Sequence, residues 1–191
     1  DKERDMNKTM TTTAVAAAMT IAGTQEVTAE PAFKATSVVH TGTLHVDATP
    51  EHAFQLFNAP GERLWVPGWD PVVLRGGDGR EKGSVWVTDV EAVATIWVVV
   101  DYDPESLHAR YARISPDSSA GTVEVFARSD RRGGTDVDVS FELTALNDAG
   151  NRKLADFDAE FFSQMMIDWE QLIREANIEF PVRFDEQGAT R

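Results

Sequence analysis

The sequence predicts an α+β domain: a curved antiparallel sheet of about seven strands wrapped around a long C-terminal helix, with two short helices after the first strand. Three observations lead there. Segments of strand character follow one another from residue 38 to residue 146, separated by short Gly, Pro, Asp and Asn turns, and strands joined so briefly pair as antiparallel neighbours. After Gly150 the apolar spacing changes from two to three and four, the period of a helix. A sheet with one buried face needs a cover, and only this last segment is long and apolar enough to provide it.

The first strand is VVHTGTLHV, with Leu44 and Val46 on one face and Thr43 and His45 on the other. Thr49 is a suitable N-cap, Pro50 suits the first helical position, and Glu51 favours the positive helix end. A short helix then runs to about Asn58 with Ala53, Phe54 and Phe57 as its apolar face. Ala59-Pro60-Gly61 ends it, and Glu62 to Trp65 form one more turn. Strands follow at 71–75, 84–90, 94–102, 107–114, 122–128 and 135–146. The last is the clearest: Val137, Val139, Phe141 and Leu143 alternate with Asp136, Asp138, Ser140 and Glu142. The helix from Lys153 to Ala176 carries Leu154, Phe157, Phe161, Met165, Trp169, Leu172 and Ala176 in one stripe. Phe162, Met166 and Ile173 widen it, and Pro181 prevents continuation.

The 191 residues fit one domain with tails: 1–35, the domain at 36–180, and 181–191. Residues 1–35 are rich in Thr and Ala. Lys8, the run Ala14 to Ala22 and Val27-Thr28-Ala29 follow the order of an export signal. Two readings stand: a cleaved signal, placing the domain in the periplasm or outside the cell, or a disordered cytoplasmic tail. The net charge of −14 disfavours nucleic acid and anionic membrane surfaces as partners. No stretch is long and apolar enough for stable membrane insertion. The absence of cysteine excludes disulfides, thiolate metal sites and cysteine nucleophiles. His40, His45, His52 and His108 show no metal-binding spacing, and His40 and His45 fall on opposite faces of a strand, so neither a metal nor a cofactor is expected. No nucleophile elbow, phosphate loop or dinucleotide fingerprint occurs.

The order of elements, with TLHVDATPEHAFQLF as opening strand and helix start, WVPGW after the paired short helices, GGDGREKGS between the second and third strands, and FDAEFFSQMMIDWEQL in the final helix, resembles the SRPBCC superfamily. That superfamily includes START lipid-transfer domains, pollen-allergen-type binders and polyketide cyclases. The resemblance covers residues 38–177 and implies a helix-grip fold with an internal cavity. It does not imply one activity.

The expected cavity lining is apolar. Phe157, Phe161, Met165 and Trp169 come from the helix, and Trp86, Trp97, Tyr111 and Phe126 from the strands, with Trp65 and Trp69 at the mouth. The alternative is that these side chains simply fill a core. His108, Arg110, Tyr111 and Glu124, together with Arg113, are the polar candidates for the hollow. Arg110 and Glu124 have cross-strand pairing as their alternative fate. The expected function is binding or carriage of a hydrophobic small molecule: a lipid, polyketide or aromatic metabolite. A cyclase or aromatase using Arg110, Tyr111, His108 or Glu124 is the alternative, and a protein-interaction module a third reading. Oligomeric state is not legible.

Overall fold

The structure is a computed structural model that describes residues 33–90, 93–131 and 133–184. The signal or tail reading of residues 1–35 therefore falls, as far as residue 32, outside the described residues, as does the C-terminal tail from 185 onward. All the elements below belong to one compact unit that begins at Phe33.

Seven strands form one antiparallel sheet: β1 (Ser37–Val46), β2 (Val72–Arg75), β3 (Val85–Val90), β4 (Val93–Asp103), β5 (His108–Ser115), β6 (Ser119–Ser129) and β7 (Thr135–Ala145). Their spatial order is β1-β7-β6-β5-β4-β3-β2. Only β1 departs from its sequence neighbour, crossing over to pair with β7 along its whole length. The crossover is made by α1 (Pro50–Phe54) and α2 (Ala59–Glu62). The sheet curves around the C-terminal helix, as the sequence predicts.

β7 alternates as expected: Val137, Val139, Phe141 and Leu143 are buried beneath the helices, while Asp136 and Asp138 meet Arg128 on the outer face. β4 is less regular. Its register with β5 shifts between Val99 and Asp101. The extra residue reverses the facing of the strand beyond it, so Val99 and Tyr102 both turn inward and Val100 is exposed.

The short helices are held by their turn chemistry. Asn58, not Thr49, supplies a side-chain cap: its Oδ1 accepts from the Gly61 amide at 2.9 Å. Thr49 occupies the N-cap position of α1 without capping it. Gly61 sits so close to the end of α1 that a Cβ there would lie 1.9 Å from the Gln55 carbonyl oxygen.

The single helix predicted over 153–176 is two. α3 (Asp148–Asp156) starts earlier, with Asn147 capping the Gly150 amide at 2.8 Å. The chain leaves helical geometry at Phe157 (φ −87, ψ 64), and Asp158 restarts it by accepting from the Phe161 amide at 2.8 Å. α4 (Ala159–Glu175) is therefore about 26 Å long at 1.5 Å per residue. The break is stabilised from outside, because the His40 ring bonds the Phe157 carbonyl at 2.9 Å.

α4 seats on β1 through Phe162, Met166 and Ile173, the three residues expected only to widen its stripe. The seat is Gly42: a Cβ there would lie 2.7 Å from Met166 Cγ. Phe157, at the break, and the edge of α4 that carries Met165 and Trp169 are left facing the sheet's interior, half-buried.

Candidate ligand-binding site

The sheet, α2 and α4 do not close on one another completely. A cavity of about 240 Å³ lies between them. The strands supply Trp86 from β3, Trp97 from β4, Tyr111 and Arg113 from β5, Val123 and Val125 from β6, and Val139 and Phe141 from β7. The segment around α2 supplies Phe57, Asn58, Glu62, Val66 and Trp69; Phe157 and α4 residues Met165 and Trp169 complete the wall.

Of the expected lining, Trp69, Trp86, Trp97, Tyr111, Phe157, Met165 and Trp169 are thus in place. Three residues are not. Trp65 is buried behind the wall, its Nε1 donating to the Leu56 carbonyl at 2.8 Å and its ring meeting Trp169 edge-on at 5.4 Å. Phe161 is 54% exposed in the first turn of α4, its ring against Phe157, while Met165 and Trp169 further along the same helix line the cavity. Phe126 is 40% exposed on the outer face, between the inward residues Val125 and Ala127.

The polar candidates divide by strand parity. Tyr111 and Arg113 line the cavity; Arg110 is exposed on the opposite face. His108 and Glu124 are also outside: His108 Nε2 lies 2.6 Å from Glu124 Oε1. Arg110 is Glu124's register partner, but the Glu124 carboxylate bonds the histidine instead. The inward placement considered for Arg110, His108 and Glu124 is therefore corrected, and Arg113 stands where Arg110 was expected. The glycine-rich turn at 76–83 contributes no residue to the cavity wall; Gly79 packs behind Trp86 instead.

Glu62 and Asn58 were missed. Glu62 lies one residue past the turn that Gly61 makes possible, so its carboxyl points into an apolar space. Burial alone raises its pKa to about 8. It is thus protonated at neutral pH and offers an O–H donor. Asn58 Nδ2 reaches the Tyr102 hydroxyl at 3.4 Å. Tyr111 is pushed well above its ordinary pKa, first by burial and then by Tyr102 and Glu62, so it stays neutral. Burial lowers the pKa of Arg113, which nonetheless remains a cation.

Outside the cavity, His45 Nδ1 lies 3.2 Å from Asp130 and 3.7 Å from Asp136, where β1 meets the β6–β7 turn. These three ligand-bearing residues come within 4.8 Å of one another, an approach that sequence spacing does not reveal.

A curved antiparallel sheet gripping a helix over an apolar cavity defines a helix-grip domain of ligand-binding type. The chain belongs to the polyketide cyclase/dehydrase and lipid transport family, whose model matches residues 35–168, and with it to the SRPBCC superfamily. No curated protein sequence matches it. Solved structures share the fold at low identity. Ara h 8.0201 is 14% identical with a TM-score of 0.53, over 73% of this chain and 99% of its own. Norcoclaurine synthase from Thalictrum flavum, in complex with dopamine and hydroxybenzaldehyde, is 14% identical with a TM-score of 0.54, over 76% and 91%. The XoxI protein from Bacillus cereus is 14% identical with a TM-score of 0.57, over 73% and 94%. Among the described residues no helix is long and apolar enough to cross a membrane.

Proposed function

We propose that this protein binds a compact apolar small molecule, aromatic in character, between its sheet and α4. The observation that carries the reading is the cavity itself: about 240 Å³ walled by four tryptophans, Trp69, Trp86, Trp97 and Trp169, with Phe141 and Phe157. Ligand pockets run from roughly 300 to 1,000 Å³, so this one falls just below that range and favours one or two rings over a long acyl chain. The norcoclaurine synthase complex holds one-ring aromatic molecules of that size class. Flat rings stacked between tryptophans gain apolar burial together with ring–ring attraction.

The test uses 2-naphthol, a neutral two-ring fluorescent probe, and native mass spectrometry for any co-purifying molecule. Probe fluorescence is expected to rise on addition of the protein and to fall in a Val139→Trp variant, whose new ring fills the space. A protein that neither enhances the probe nor carries a ligand sinks the reading.

A second reading, a cyclase or aromatase, draws on Glu62. A carboxylic acid protonated at neutral pH beside Tyr111 is suited to deliver a proton to a bound carbonyl. In that case Glu62→Gln abolishes turnover of a polyketone while leaving probe binding intact. Turnover unaffected by the substitution removes Glu62 from that role.

A further inference from the structure

The polar groups of the cavity define what its occupant carries. Arg113 is the one lining residue with a full charge at neutral pH, because Glu62 is protonated and Tyr111 neutral there. Its guanidinium lies over the Trp97 ring at 5.8 Å, and its only hydrogen bond is a long one, Nη1 to Ser119 Oγ at 3.4 Å. Among the described residues no carboxylate pairs with it, and burial acts on it without any charged neighbour. Glu62 does not serve as its counter-ion: desolvation alone sets the state of that carboxyl. A partly buried cation without a partner is costly, and the guanidinium cannot discharge itself by losing a proton.

The tryptophans beside it differ in how their ring N–H groups are met. Trp65, Trp69 and Trp97 donate their ring N–H to Leu56 O, Ala59 O and Thr88 Oγ1 at 2.8, 3.0 and 3.0 Å. The Trp86 N–H is buried and has no acceptor among the described residues. Trp86 stacks on Trp97 at 6.2 Å with 7° between planes, and Trp97 is the register partner of Arg113. The two rings and the cation therefore form one patch across β3, β4 and β5.

Resting on the cavity being a ligand site, we infer that its occupant is a compact aromatic carboxylate, held with its acid group on Arg113 and its ring system against Trp97 and Trp86. The planar guanidinium fork matches a carboxylate, and a charge-assisted bond in a low-dielectric site is stronger than its neutral counterpart. The protein's net charge of −14 repels such a ligand at long range, so selection rests on this local cation.

The experiment is calorimetric titration of the full chain, near neutral pH, with 2-naphthoate and with its uncharged isostere 2-naphthamide. Naphthoate is expected to bind about ten- to a hundredfold tighter, the range of a hydrogen bond to a charged group. Arg113→Met is expected to remove the preference, and Arg110→Met, on the outer face of the same strand, to keep it. Equal affinity of the two probes for the unaltered protein overturns the inference and leaves the apolar cavity standing, a result that needs no variant to fold. A preference that survives in folded Arg113→Met also overturns it. If neither probe binds, the inference and the ligand-site reading fall together.

Discussion

The Tyr111 hydroxyl donates to the backbone carbonyl of Phe57 across 2.9 Å, joining the middle of β5 to the turn between α1 and α2. Both ends are buried, so this bond fixes the height of α2 above the sheet and with it the mouth of the cavity. Removing the hydroxyl leaves the Phe57 carbonyl without that donor. Tyr111→Phe is expected to lower stability by about 1–3 kcal/mol, read from the urea midpoint. An unchanged midpoint would mean that water replaces the hydroxyl and that the tie is dispensable.

Glu62 makes stability depend on pH. Its pKa is 4.5 when free of the fold and about 8 within it. Between those values the native chain holds a proton that the unfolded chain has released. Stability therefore falls as pH rises through that window, by at most roughly 1.4 kcal/mol per unit from this group. Glu62→Gln is expected to match the unaltered protein in melting temperature at about pH 5 and to exceed it at about pH 8. Parallel curves for the two proteins would place the Glu62 carboxyl in water.

Ligand affinity is expected to follow strand parity. Arg110→Ala and Glu124→Gln alter the outer face and leave 2-naphthol affinity unchanged, whereas Trp97→Ala weakens it. The bond between His108 and Glu124 is partly solvated, so losing it costs no more than about 1 kcal/mol. A large loss of probe affinity on changing Arg110 would contradict the facing of β5.

The seat of α4 on β1 leaves no room at Gly42. Gly42→Ala is expected to destabilise by about 1–3 kcal/mol, because Met166 Cγ and the Phe162 ring must both move. Thermal unfolding measures it. A neutral result would show that α4 slides along β1 at little cost.

Asp158 restarts the helix after the break. Asp158→Ala is expected to cost about 1 kcal/mol, with faster amide exchange confined to the first turn of α4. Unchanged exchange there would mean that the His40 bond to Phe157 holds the break alone.

Local side-chain patterns alone set the strands, the helical character of the C-terminal segment and much of their facing, though not the break that makes two helices of it. Alternation along β7 and the change of period after Gly150 are local properties of side chains, and each follows from a repeat of two or of three to four. The same parity separates Arg110 from Tyr111 and Arg113, so the inward and outward sets on β5 were legible once either was placed. The apolar identity of the cavity wall was legible too, because a wide aromatic stripe facing strand tryptophans has few other destinations. Tertiary structure decided the rest. The break at Phe157 is met by His40, over a hundred residues away in sequence. The bulge in β4 that brings Tyr102 inward is a matter of register against β5. The state of Glu62 arises from desolvation by residues brought together only by folding, and no run of neighbouring letters encodes the dielectric around a carboxyl.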